Sequence, residues 1–95
     1  VRDYELVVIY RPDLGEEEGP AAFERVTKAV TERGGTLTKS EPWGKRRLAY
    51  PIKKFNEGTY FLAQFQLDPK GVRDLNAQLK VSEQVLRHMI VRVES

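Results

Sequence analysis

Residues 59–67 read Thr-Tyr-Phe-Leu-Ala-Gln-Phe-Gln-Leu, with Phe61, Ala63, Phe65 and Leu67 at every second position and Gln64 and Gln66 between them. A repeat of two places one set of side chains on one side of a pleated strand, so this segment demands a sheet with a buried face. The next residues are Asp68-Pro69. Asp is a preferred helix N-cap, and proline suits the first helical position because its missing N–H is not needed there. Val72, Leu75 and Leu79 follow at helical spacing. The strand therefore runs directly into a helix whose apolar stripe can cover the strand's buried face.

The rest of the chain repeats this logic. Residues 4–10, Tyr-Glu-Leu-Val-Val-Ile-Tyr, are β-branched and aromatic and stop at Arg11-Pro12-Asp13, which predicts a strand. Leu6, Val8 and Tyr10 are assigned to the core face, with Glu5, Val7 and Ile9 on the other. Apolar residues on both faces predict a central strand. Residues 20–33 carry Phe23, Val26 and Val30 on a helical stripe, with Pro20 in the first turn and Gly34-Gly35 as a left-handed stop. Residues 36–52 read as one long strand, interrupted near Pro42. Prolines at 42 and 51 predict an edge position, since proline cannot donate to a ladder. Asn56-Glu57-Gly58 predicts the turn before the alternating strand, and residues 85–93 form the last strand.

The order is strand, helix, strand, strand, helix, strand. Right-handed crossovers then predict an α+β, ferredoxin-like βαββαβ fold: a four-stranded antiparallel sheet with the first and third strands central and two helices on one face. The expected core is Leu6, Val8, Phe23, Val26, Val30, Phe61, Phe65, Leu75, Leu79 and Met89. Length fits one domain over residues 1–95, and a hydrophobic content of 40% excludes global disorder.

Composition removes whole classes of function. With no cysteine in the chain, disulfide scaffolds and zinc ribbons are excluded. No apolar run approaches the roughly 18 residues of a membrane span, and Val1-Arg2-Asp3-Tyr4 enters a strand pattern without a signal-peptide core. His88, the one histidine, lies in a strand without a nucleophile to activate. Gly44-Lys45 lacks the glycine that a phosphate loop needs five positions earlier, where Lys39 stands. Glu16, Glu17 and Glu18 read as a solvated loop or helix start. No enzyme, cofactor, metal or small-molecule substrate is expected.

Charge is where the chain is distinctive. The formal total is only +2, yet Lys45, Arg46, Arg47, Lys53 and Lys54 crowd one stretch with only Glu41 nearby. Such a patch attracts phosphates, and neighbouring aromatics can stack on bases; charged edge strands also simply prevent sheet-to-sheet association. Alternation sends Arg46 and Arg47 to opposite faces. Val7 and Ile9, on the face away from the helices, leave apolar area that is either a protein interface, with Trp43 as its candidate anchor, or a few scattered exposed hydrophobes.

The segment Pro42-Trp43-Gly44-Lys45-Arg46-Arg47-Leu48-Ala49-Tyr50-Pro51-Ile52 resembles the signature of the bacterial small-subunit ribosomal protein six family. The resemblance extends over nearly the whole chain: the Arg2-Asp3-Tyr4-Glu5 opening, Gly34-Gly35 after the first helix, Gly58 through Asp68-Pro69, Leu75 through Leu79, and Val85 through Met89. Asp3 stands where the family often carries a basic residue, and Gly19-Pro20 interrupts a helix start that is often longer. The resemblance implies a non-catalytic constituent of the cytoplasmic ribosome. Such a protein binds the central domain of 16S ribosomal RNA together with small-subunit ribosomal protein eighteen. Lys45, Arg46, Arg47, Lys53 and Lys54 are the expected RNA contacts, with Arg2, Arg87 and Arg92 as further candidates. Three other readings share this fold. An RNA-recognition-motif domain would need aromatic residues where Leu62 and Gln64 stand. A ferredoxin-like regulatory domain would need a small-molecule pocket at a dimer interface. An acyl-phosphate hydrolase would need a phosphate-cradling loop, which Arg11-Pro12-Asp13-Leu14-Gly15 matches poorly.

Overall fold

Phe61, Ala63, Phe65 and Leu67 are all buried, as their alternation predicts. The computed structural model describes residues 2–93; Val1, Glu94 and Ser95, at the limits of the expected domain, lie outside these residues. The elements run β1 (Arg2–Tyr10), α1 (Glu18–Glu32), β2 (Thr36–Ile52), β3 (Phe55–Leu67), α2 (Pro69–Lys80) and β4 (Val85–Arg92). The strands form one sheet in the order β2-β3-β1-β4, and each neighbouring pair is antiparallel. The expected ferredoxin-like topology is present, with β1 and β3 central and β2 on an edge.

The helices begin and end for local reasons. Asp68 caps α2 by accepting a hydrogen bond from the Gly71 N–H at 2.7 Å, and Pro69 occupies the first turn. At the end of α1, Gly34 adopts φ +84°. The Gly35 N–H donates to Val30 O at 2.9 Å and the Gly34 N–H to Thr31 O at 3.1 Å, the paired bonds of a Schellman stop. α1 starts at Glu18, ahead of Pro20, with the Glu18 carboxylate in the first turn, where the helix dipole favours negative charge.

Register sorts the side chains into two faces. The helix-facing rungs, read from β4 to β2, are His88–Val8–Phe61–Pro42, Ile90–Leu6–Ala63–Ser40 and Arg92–Tyr4–Phe65–Leu37. Their centre joins Phe23, Val26, Val30, Leu75 and Leu79 in one core, where Phe23 stacks on Phe61 at 4.8 Å between ring centroids and Tyr10 meets the same ring edge-on at 5.6 Å. The open-face rungs are Arg87–Ile9–Tyr60–Gly44, Met89–Val7–Leu62–Glu41 and Val91–Glu5–Gln64–Lys39.

Three expectations are corrected by this register. Met89 is not a core residue: it pairs with Val7 on the open face and is 47% exposed, while His88 and Ile90 point toward the helices. Ile9 does not present free apolar area: it is only 8% exposed. It lies over Gly58, where an added Cβ would run into Ile9 Cγ2, and Leu48 borders the same spot. The β2–β3 turn is not Asn56-Glu57-Gly58, which belongs to β3. It is Lys53-Lys54, both at positive φ (50° and 72°), closing the Ile52–Phe55 pair. Positive φ at both central residues is the requirement of a type I′ hairpin turn, whose twist matches that of the flanking strands.

Candidate nucleic-acid interface

β1 ends at Tyr10, opposite Thr59, so β2 and β3 continue past the sheet as a two-stranded arm beginning at the Arg46–Gly58 pair. The arm is tied to the body on both sides. The Arg11 guanidinium sits 5.3 Å from the Phe55 ring centroid and is itself held by Asp13 through bonds of 3.1 and 2.8 Å. On the open face, Arg87 donates to the Tyr50 hydroxyl at 2.9 Å.

All five cations singled out from the sequence lie on this arm or at its root, and all are exposed. Among the described residues none of the five makes an ion pair. Arg47 is aligned with Glu57, but no salt bridge joins them. Free guanidinium and ammonium groups in this density keep their full charge available to an external anion.

The two faces of the arm differ. Arg46 pairs with Gly58 and belongs to the open face; Lys45 and Arg47 pair with Thr59 and Glu57 and belong to the helix-side face. Lys45 lines a groove of about 350 Å³ with Leu14, Glu16, Pro20 and Phe61. Lys53 and Lys54 form the tip. The three remaining candidates separate. Arg87, through Tyr50, joins the arm. Arg2 and Arg92 sit at the far ends of β1 and β4, about 20–25 Å away by strand rise.

The root of the arm holds a group that alternation did not predict. The β2–β3 register shifts between Pro42 and Gly44, and Gly44 adopts φ +82°. This bulge makes Trp43 the extra residue and re-aims its side chain. The Trp43 Nε1–H donates to Glu41 Oε1 at 2.9 Å, the oxygen that also lies 3.7 Å from Lys39 Nζ. The Arg46 guanidinium rests 5.2 Å from the Trp43 ring centroid, and its Nε donates to the Trp43 carbonyl at 3.5 Å. A lone glycine inside a strand pattern was the available signal for the bulge; nothing in the spacing signalled Tyr50 or Arg11 as the residues that pin the arm.

The exposed aliphatic surface of the open face lies at the β4 edge rather than at Ile9. Met89 and Val91 are about half exposed, and Val7 beside Met89 is half-buried. Among the described residues no cluster of side chains could hold a metal ion, and no helix is long and apolar enough to cross a membrane.

The family profile described as Ribosomal protein S6 matches residues 3–92. Among curated relatives, the small ribosomal subunit protein bS6 of Moorella thermoacetica is 40% identical, covering 99% of this chain and 96% of its own length. That of Caldanaerobacter subterraneus subsp. tengcongensis is 42% identical, covering 99% of each. Among solved structures, the crystal structure of 30S ribosomal protein S6 from Thermotoga maritima superposes with a TM-score of 0.92 at 38% identity, covering 97% of this chain and 87% of that one.

Proposed function

The chain belongs to the ribosomal protein S6 family, a family of small-subunit ribosomal proteins rather than of enzymes, and from that premise we propose that its basic arm binds the central domain of 16S ribosomal RNA. Small-subunit ribosomal protein eighteen is the proposed partner in that binding. The observation that carries the reading is the projecting β2–β3 arm with five exposed cations that make no ion pair among the described residues. An arm reaching beyond the sheet can enter the gap between RNA helices, and its phosphate contacts fix orientation without reading sequence. Arg46 and Arg47 point to opposite faces, so the arm engages two surfaces at once. Arg87 contributes beside Tyr50, while Arg2 and Arg92 at the far end contact a separate stretch of RNA or none. The protein partner covers the open face around Val7, Met89 and Val91, with Ile9 as buried support beneath it.

The test is the affinity of the two-protein complex for a central-domain 16S RNA fragment across a salt series. Arg46→Ala and Arg47→Ala each remove one charge. Each lost phosphate contact is expected to weaken binding and flatten the log–log salt slope by about 0.7–0.9. If neither substitution changes affinity or slope, the arm is solubilising surface and the RNA assignment falls.

A further inference from the structure

Trp43 is built as a platform. The bulge at Gly44 turns it away from the ladder, Glu41 fixes its edge, and Arg46 covers one face of the ring. After these contacts the residue is still 38% exposed. A large aromatic held this firmly, yet left open to solvent, loses little conformational freedom when a second flat group lands on it.

Two occupants compete for such a ring: a protein side-chain pocket and a nucleobase. The distribution of charge decides between them. Arg46 covers Trp43 and Lys39 shares the Glu41 carboxylate with it, Lys45 and Arg47 lie on the other face of the same strand, and Glu41 is engaged by the indole N–H and Lys39. The exposed apolar residues that a protein partner would cover, Met89 and Val91, lie on β4 at the opposite edge of the sheet. Cations and an aromatic thus share one edge, and aliphatic surface occupies the other. Aromatic faces flanked by cations bind unstacked bases while the cations hold the adjoining phosphates.

We propose that Trp43 stacks on an unpaired nucleobase of the bound RNA, with Arg46 completing the stack from behind, rather than anchoring a protein partner. The inference rests on the RNA-binding reading above. Stacking tolerates any base, so the site selects an unstacked nucleotide rather than a sequence.

Trp43 is the chain's one tryptophan, so its fluorescence reports this site alone. The complex with small-subunit ribosomal protein eighteen is titrated with a central-domain 16S RNA fragment. The indole emission is expected to stay unchanged when the protein partner is added, then to quench when RNA is added. Trp43→Leu should lower RNA affinity about 5- to 150-fold with the salt slope unchanged, because no charge is removed. Trp43→Phe keeps a stacking face and should stay within about threefold of the parent. Quenching by the protein partner alone overturns the inference in favour of a protein anchor. Salt-dependent RNA binding that is unaffected by Trp43→Leu overturns it while leaving the RNA reading intact. Absence of RNA binding by the parent complex overturns both.

Discussion

β2 and β3 are joined by one tight turn and share one ladder, yet they are opposites. Over Thr36–Ile52 no residue of β2 is buried, whereas β3 buries Gly58, Phe61, Leu62, Ala63, Phe65 and Leu67. The difference is position. β3 has a partner on each side and helices over one face, so its side chains are chosen for volume and fit. β2 has a partner on one side only, so its side chains are free to serve another molecule. The same hairpin therefore divides into a strand that holds the fold and a strand that meets the outside, and a substitution reveals which by the property it changes.

Phe65→Ala should have the largest effect. Phe65 is 1% exposed and stacks against Tyr4 at 5.9 Å. Its truncation is expected to cost about 3–5 kcal/mol in a denaturant titration; a loss below about 1 kcal/mol would break the contrast at its structural end.

Gly58→Ala probes where the two strands leave the body. The new Cβ would meet Ile9 Cγ2 and approach the Tyr10 carbonyl at 3.3 Å. The expected cost is about 1–3 kcal/mol, as for overpacking elsewhere in a filled interior. An unchanged midpoint would mean that Ile9 yields and that the root of the arm is soft.

The tip is expected to respond in the opposite direction. Lys53 and Lys54 hold φ of 50° and 72°, a region that costs an ordinary residue about 1 kcal/mol. Replacing the pair with Asn-Gly, the preferred type I′ sequence, should raise stability by about 1 kcal/mol while weakening RNA binding. Stability and affinity moving together would remove the division between the two strands.

The smallest effect concerns the other edge strand. His88 on β4 faces α2, where its Nε2 lies 2.7 Å from Asn76 Oδ1. Burial, aided by the positive charge of Lys80, lowers its pKa from the ordinary 6.5. The folded state therefore resists protonation more than the unfolded state does. His88 stabilises fully above pH 6.5 and loses that contribution as pH falls through the lowered value. Compared with His88→Gln, the parent should lose stability on going from about pH 8 to about pH 5. Parallel curves for the two proteins would show that the His88–Asn76 contact does not set the pH dependence of this edge.

Legibility followed the same division. The Phe61-to-Leu67 alternation and the Asp68-Pro69 cap could be read because burial and capping leave periodic or positional signs in one stretch of chain. Met89 lies on the face opposite to the expected one because parity in β4 depends on its register with β1, and the shift between Ile9 and Tyr10 is a property of two strands rather than one. Asn56-Glu57-Gly58 reads as a turn because glycine usually supplies positive φ, but Gly58 makes room for Ile9 and two lysines adopt the left-handed backbone. The five cations of the arm were visible as a local density. The Trp43–Arg46 platform was not, because a one-residue bulge decides where Trp43 points.

The strand order has a consequence for how the protein comes into being. β1 lies between β3 and β4, yet it is made before either of them. Roughly 75 residues separate Tyr10 from its partner Val85, about 4–15 s of synthesis at ribosomal rates. The β2–β3 hairpin can close within microseconds of emerging, but β1 must wait with an open edge until β4 has left the exit tunnel. Of the four strands, the one made first is thus among the last to be enclosed.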